Sequence, residues 1–154
     1  MRPSRHIIAS LTIGALLWLF TRSLYAGLLC FASGILVDLD HILEYIIHYG
    51  WKGLTFKNMY EACEQTERQK GDMRFKKLYI IFHTGEAALL LWIAAIYTKN
   101  IFLLAIALGY SLHLIMDAIG NALHPVSYSI LWRIINKFDS DKVFKKPENK
   151  SGNV

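Results

Sequence analysis

Residues 101–119 read IFLLAIALGYSLHLIMDAI. The run is close to the ~20 apolar residues that a bilayer core demands of a helix. Yet it carries His113 and Asp117, one helical turn apart, towards its C-terminal end. An Asp or a basic residue at the helix centre costs roughly 2.5–3.5 kcal/mol on the insertion scale. Such groups therefore face a protein interior or a wet cavity, and they mark function by default. Working outward, three more apolar segments stand out, at residues 7–20, 24–37 and 78–97. Residues 78–97 again have full spanning length. The first two are shorter and need tilt, flanking anchors or local thinning. The short connections Thr21-Arg22-Ser23 and Thr98-Lys99-Asn100 join the segments two by two, so each pair reads as an antiparallel helical hairpin.

The expected architecture is an all-α integral membrane bundle of four transmembrane helices, in two hairpins, with a helical loop between them. Residues 1–138 form a single transmembrane helical domain, and residues 139–154 a charged, flexible tail. Within the loop, residues 42–49 either continue the second helix or lie along the interface. Glu61, Glu64, Glu67, Arg68 and Lys70 support a solvated helix over residues 58–70. Tyr128, Trp132 and Phe138 give residues 126–138 an interfacial pattern. Arg2, Arg5 and the small residues up to Ala26 also resemble a cleavable signal, but Arg22 beside the cut favours a first membrane helix.

Composition agrees. The chain is 54% hydrophobic and 19% charged, with a mean hydropathy of +0.30, too apolar for a disordered segment. The surplus of +5 and the pI near 9.2 would suit nucleic acid. However, the basic residues flank hydrophobic segments and no nucleic-acid fold signature is present, so membrane lipids are the expected partner. Cys30 and Cys63 have neither disulfide-framework nor finger spacing. Arg2, Arg5, the loop cations Lys52, Lys57, Arg68, Lys70, Arg74, Lys76 and Lys77, and the tail cations Arg133, Lys137, Lys142, Lys145, Lys146 and Lys150 fall on one side of a four-helix topology. Arg22 and Lys99 fall on the other. The positive-inside rule then puts both termini and the loop in the cytoplasm of a multi-pass inner-membrane protein.

That orientation gathers the ionisable residues. His6 heads the first helix, Asp38, Asp40 and His41 end the second, His83 and Glu86 lie early in the third, and His113 and Asp117 lie late in the fourth. All fall in the inner half of the membrane or at its edge. His113 and Asp117, four apart, and His83 and Glu86, three apart, each share a helix face. Imidazole with carboxylate suits Zn, Mn or Fe, and carboxylate-rich versions admit Mg. The candidate metal ligands are His6, Asp38, Asp40, His41, His83, Glu86, His113 and Asp117, enough for one or two divalent ions. Asp40 and Glu86 are the candidate catalytic carboxylates, Glu86 as ligand or general base. His124, before Pro125, reads as a turn residue, and Glu44 and His48 as interfacial; each stays open as a further ligand.

Three stretches resemble a known family. Leu36-Val37-Asp38-Leu39-Asp40-His41 is similar to a Leu-Pro-Asp-x-Asp-His motif, with Val for Pro. Gly109-Tyr110-Ser111-Leu112-His113, followed four residues later by Asp117, matches Gly-Tyr-x-x-His-x-x-x-Asp. Ser4-Arg5-His6 resembles an early His at the head of the first helix. These are motifs of the YdjM-like family of small membrane proteins, labelled membrane-bound metal-dependent hydrolases. The family's His-Arg-Gly-x-Thr-His motif is represented by His83-Thr84-Gly85-Glu86, which lacks the second His. The resemblance covers residues 4–125 and implicates His6, Asp38, Asp40, His41, His83, His113 and Asp117.

The expected function is an integral-membrane metal-dependent hydrolase at the cytoplasmic leaflet, acting on a phosphoester or other lipid-linked, amphiphilic substrate. The alternative is a non-enzymatic membrane protein, either an ion or proton carrier or a structural factor with a stapling metal or a buried polar network. A carrier needs an ionisable path across the membrane, and residues 87–97 and 102–109 contain none. The sequence is silent on oligomeric state.

Overall fold

The computed structural model describes residues 3–121 and 123–145. They are mostly helical: α1 (Pro3–Thr21), α2 (Leu24–Leu36), α3 (Leu39–Tyr49), α4 (Phe56–Glu67), α5 (Gly85–Thr98), α6 (Ile101–Gly120), a 3-10 turn (Pro125–Tyr128), α7 (Ile130–Ile135) and α8 (Ser140–Val143). Among the described residues there is no strand, only the isolated bridges Lys77–Asp139 and Leu123–Phe144. Several helix starts, those of α2, α4, α6, α7 and α8, are set by side-chain caps, which satisfy amide donors that the first turn leaves free. Ser23 accepts from the Ala26 N–H, and Asn100 from those of Phe102 and Leu103.

Helices α1, α2 and α6 pack together through small residues. A Cβ on Gly14 would lie 2.7 Å from the Gly27 carbonyl oxygen, and one on Gly109 would overlap the Cys30 carbonyl oxygen. Such close backbone approach is how helices associate where lipid removes the hydrophobic drive between them. Ser33 adds a cross-link, donating to the Ile106 carbonyl at 3.1 Å. Outward, Leu11, Leu19, Leu28 and Ile115 are exposed. Three helical stretches are long and apolar enough to cross a membrane: Ser4–Thr21, Leu24–Tyr49 and Ile101–Gly120. The second joins α2 to α3 through a turn in which Val37 and Asp38 keep right-handed helical angles.

The third expected segment differs. The sequence predicts helix over residues 78–97, but α5 begins at Gly85 and has 14 residues. At ~1.5 Å per residue it spans about 21 Å, short of the ~30 Å hydrocarbon core. Residues 78–84 are irregular because buried side chains take their backbone hydrogen bonds, as detailed below.

A second layer lies beyond the bundle. Tyr45, Ala62, Phe75, Leu78, Val143 and Phe144 form its core, drawn from α3, α4, the segment before α5 and the C-terminal region. This layer also corrects the chain's expected end. Residues 139–144 do not begin a loose tail: Val143 is fully buried, and the His124 N–H donates to its carbonyl at 2.9 Å. Two apolar side chains among the charges, Val143 and Phe144, suffice to dock the segment. Lys146, Lys150 and the rest of the expected tail, like Arg2, lie outside the described residues.

Candidate metal centre

Measured along each helix at ~1.5 Å per residue, the candidate ligands share one level. His6 lies about 22 Å from Thr21, Asp38 about 21 Å from Leu24, and His83 just beyond the ~21 Å of α5. His113 lies about 18 Å and Asp117 about 24 Å from Ile101 by the same rise. The level falls at the seam between the bundle and the second layer.

There the side chains converge. His83 Nε2 and His113 Nε2 are 3.1 Å apart. Asp117 Oδ2 is 3.2 Å from the first and 3.4 Å from the second, and Asp38 Oδ1 is 3.8 and 3.4 Å from the same two atoms. His6 Nε2 meets the other Asp117 oxygen at 3.1 Å, and its ring stacks on His113 with centroids 4.3 Å apart. His41 lies at the edge, its Nε2 3.5 Å from Asp38 Oδ1. The residues group as His6, His113 and Asp117; Asp38, His83 and His113; and Asp40, His41 and His83.

The hydrogen bonds behind the cluster decide which ring nitrogens carry hydrogens. His113 Nδ1 lies 2.8 Å from the Gly34 carbonyl oxygen, which can only accept, so Nδ1 donates. His83 Nδ1 lies 3.0 Å from Asp40 Oδ2 and donates in the same way. In their neutral forms both rings then present bare Nε2 lone pairs to one another and to two carboxylates. Acceptors crowded this way repel unless a metal cation or a shared proton sits among them. Backing of the outer ring N–H by a carboxylate or a carbonyl is also what orients metal-ligating histidines. Ligands at 2.0–2.1 Å around a tetrahedral ion stand about 3.3 Å apart, within the observed 3.1–3.8 Å. The residues fit a divalent ion, and these buried His/Asp groups could hold one.

His83 is delivered by residues 79–84, which the sequence places in a helix. The Glu44 carboxylate, 1% exposed, accepts from the Tyr79 and Ile80 N–H groups, and Asp40 from that of Phe82. Fully buried Arg133 donates to the carbonyls of Tyr79, Ile80 and His83 at 2.6–2.8 Å. The Tyr110 hydroxyl donates to the Phe82 carbonyl. Irregular backbone at membrane depth is tolerated when buried protein groups satisfy it in this way. Burial pulls the Arg133 guanidinium below its ordinary value, the Asp40 and Glu86 carboxylates oppose the shift, and it stays charged.

The structure therefore sorts the candidates. His6, Asp38, His83, His113 and Asp117 meet, with His41 on the rim. Asp40 stands behind His83. Glu86 takes other partners: it accepts from the Ser129 hydroxyl and the Ile130 N–H and so holds the start of α7. His124 is exposed. His48 Nδ1 lies 3.0 Å from the Glu44 carbonyl and its ring packs on Phe75. The site opens where the side chains of Asp38 and His41 are 34% and 30% exposed, against 4% or less for His6, His83, His113 and Asp117. Near that rim the Cys63 thiol, 3.8 Å from His41 Nδ1, is pushed up to about 12 by burial and by the carboxylates of Glu44, Asp38 and Asp40. It stays a protonated thiol at neutral pH. The sequence left Glu44 as an interfacial residue or further ligand, and assigned no role in holding the His83 segment to it, to Tyr110 or to Arg133. Arg133 carries the same signal as the histidines, a charge within the apolar run Ile130–Ile135.

No family model, curated protein or solved structure matches this chain.

Proposed function

We propose that the protein is an integral-membrane, divalent-metal-dependent hydrolase whose site lies towards the cytoplasmic leaflet. In this reading α5 serves as a fourth, short span paired with α6, and the loop and both termini face the cytoplasm, as the flanking cations require. The observation that carries the reading is the convergence of the His83 and His113 Nε2 atoms, 3.1 Å apart, on Asp38 and Asp117 at 3.2–3.8 Å, with each Nδ1 already committed to Asp40 or the Gly34 carbonyl. The resemblance of residues 36–41 and 109–117 to the YdjM-like motifs supports it. His83, His113, Asp38 and Asp117 would hold the ion, an N/O donor set suited to Zn, Mn or Fe. A bound ion supplies Lewis acidity and a low-pKa water, which hydrolysis at neutral pH needs.

The chain's own residues do the rest. Asp40 fixes the His83 tautomer, Gly34 fixes that of His113, and the Glu44–Arg133 clamp holds the His83 segment at depth. The rim at Asp38 and His41 admits the scissile group. A site at the seam between the apolar bundle and the second layer suits an amphiphile with an anionic head, a lipid or polyprenyl phosphoester, which the loop cations would attract.

The test is metal analysis of detergent-purified protein, comparing wild type with His113→Ala and Asp38→Ala, followed by a hydrolysis screen on lipid phosphates. Stoichiometric metal in the wild type and its loss in both variants is the expected result. A metal-free wild type, unaltered by either substitution except in yield, would return the cluster to a buried network in which a proton on His83 bridges to Asp117.

A further inference from the structure

The geometry points to two divalent cations rather than one, bridged by Asp38 and Asp117, with the His6/His113 pair on one and the His41/His83 pair on the other. This rests on the metal-dependent reading above and deepens it.

The imidazoles already fall into two pairs. His6 stacks on His113 at 4.3 Å, and His41 lies 5.0 Å from His83, ring to ring. Each carboxylate reaches both pairs. Asp117 places Oδ1 3.1 Å from His6 and Oδ2 3.4 Å from His113 and 3.2 Å from His83. Asp38 Oδ1 stands 3.5 Å from His41, 3.8 Å from His83 and 3.4 Å from His113.

A single ion does not use this set. A tetrahedral ion takes four ligands, whereas six side chains, four imidazoles and two carboxylates, converge here. His6 and His41 would lie outside such a site, although each brings its Nε2 to one of the shared carboxylates, at 3.1 Å from Asp117 and 3.5 Å from Asp38. With two ions, six side chains are shared, and each ion keeps room for water or substrate. Charge argues the same way. One divalent ion merely balances Asp38 and Asp117, whereas two leave a local surplus that an anionic ligand can match. Paired ions about 3.5–4 Å apart clamp the attacking and leaving oxygens of a phosphoester, so the pair selects that class from the amphiphiles considered above.

The two positions differ in access. His6 and His113 are sealed, while Asp38 and His41 form the open rim. The rim ion should exchange more readily with a chelator.

The test is titration of stripped, detergent-solubilised full-length protein with Zn²⁺ and, separately, with Mn²⁺ followed by electron paramagnetic resonance. The expected result is two equivalents in the wild type and in a His48→Ala control, one in His41→Ala, and a spin-coupled Mn²⁺ spectrum in the wild type. The spectrum needs no variant, so a His41→Ala chain that fails to fold does not block the test. One equivalent with the six-line signal of an isolated ion overturns the pair while leaving a metal site in place. No bound ion at all overturns both.

Discussion

The bundle and the layer beneath it are built on opposite packing rules. In the bundle, Gly14, Gly27, Gly34 and Gly109 let backbones touch, and large apolar side chains point outward. In the second layer, Phe75, Leu78 and Phe144 point inward and charged residues such as Arg68 and Lys70 point out, as in a water-soluble core. The first rule belongs to a solvent of hydrocarbon, where burying Leu gains nothing over leaving it in lipid. The second belongs to water. The candidate metal centre occupies the seam. The bundle supplies His6, His113 and Asp117 from rigid helices, and the seam supplies His83 from a segment held by side chains.

The sharpest way to break this contrast is Gly109→Leu. A side chain there must displace the Cys30 carbonyl and the Ser33 hydroxyl, which are fixed to a neighbouring helix. The cost should exceed the ~1–3 kcal/mol of ordinary overpacking, and no monodisperse protein should survive extraction into detergent. Recovery of a folded Gly109→Leu chain with wild-type thermal stability would show that α2 and α6 do not make this close contact.

Arg133→Met tests the seam. It leaves the carbonyls of Tyr79, Ile80 and His83 without their donor. Breaking a buried charged network costs roughly 3–5 kcal/mol. Because those carbonyls position His83, metal content should fall together with the detergent melting temperature. Unchanged metal content at a lowered melting temperature would mean that the segment finds its geometry without the clamp.

Asp40→Asn should act on affinity more than on folding. The amide keeps the shape of the carboxylate but supports the His83 Nδ1–H less well. Loss of such a backing partner weakens metal binding about 10–100-fold, or ~1.4–2.7 kcal/mol at 1.36 per decade. Competition with a chromogenic chelator would read it. A change below twofold would remove Asp40 from the orienting role.

How far the sequence anticipated these regions follows from the same contrast. The bundle and the residues His6, Asp38, His83, His113 and Asp117 were legible because an ionisable group inside an apolar run is an expensive anomaly. The second layer was not. Its core is assembled from short pieces, Tyr45 on α3, Ala62 on α4, Phe75, and Val143 near the end, whose pairing no local periodicity records. Arg133 was hidden for another reason: beside Lys137 and Lys142 it reads as one more topology-setting charge, although it is buried against the carbonyls of Tyr79, Ile80 and His83. Glu86 was misplaced because no local pattern in residues 78–84 announces the break before α5.

Glu86 is therefore the mildest and most diagnostic case. An unbroken helix from residue 78 would put Glu86 three residues after His83 on the same face, as a ligand or general base. Because α5 starts at Gly85, Glu86 sits in its first turn instead and accepts from Ser129 and from the Ile130 backbone. Glu86→Gln should then lower the melting temperature by the equivalent of about 1 kcal/mol, the typical worth of a helix-capping contact. Metal stoichiometry and affinity should stay at wild-type values. A Glu86→Gln protein that folds normally but loses its metal would restore the longer helix and move the centre out of the seam and into the bundle.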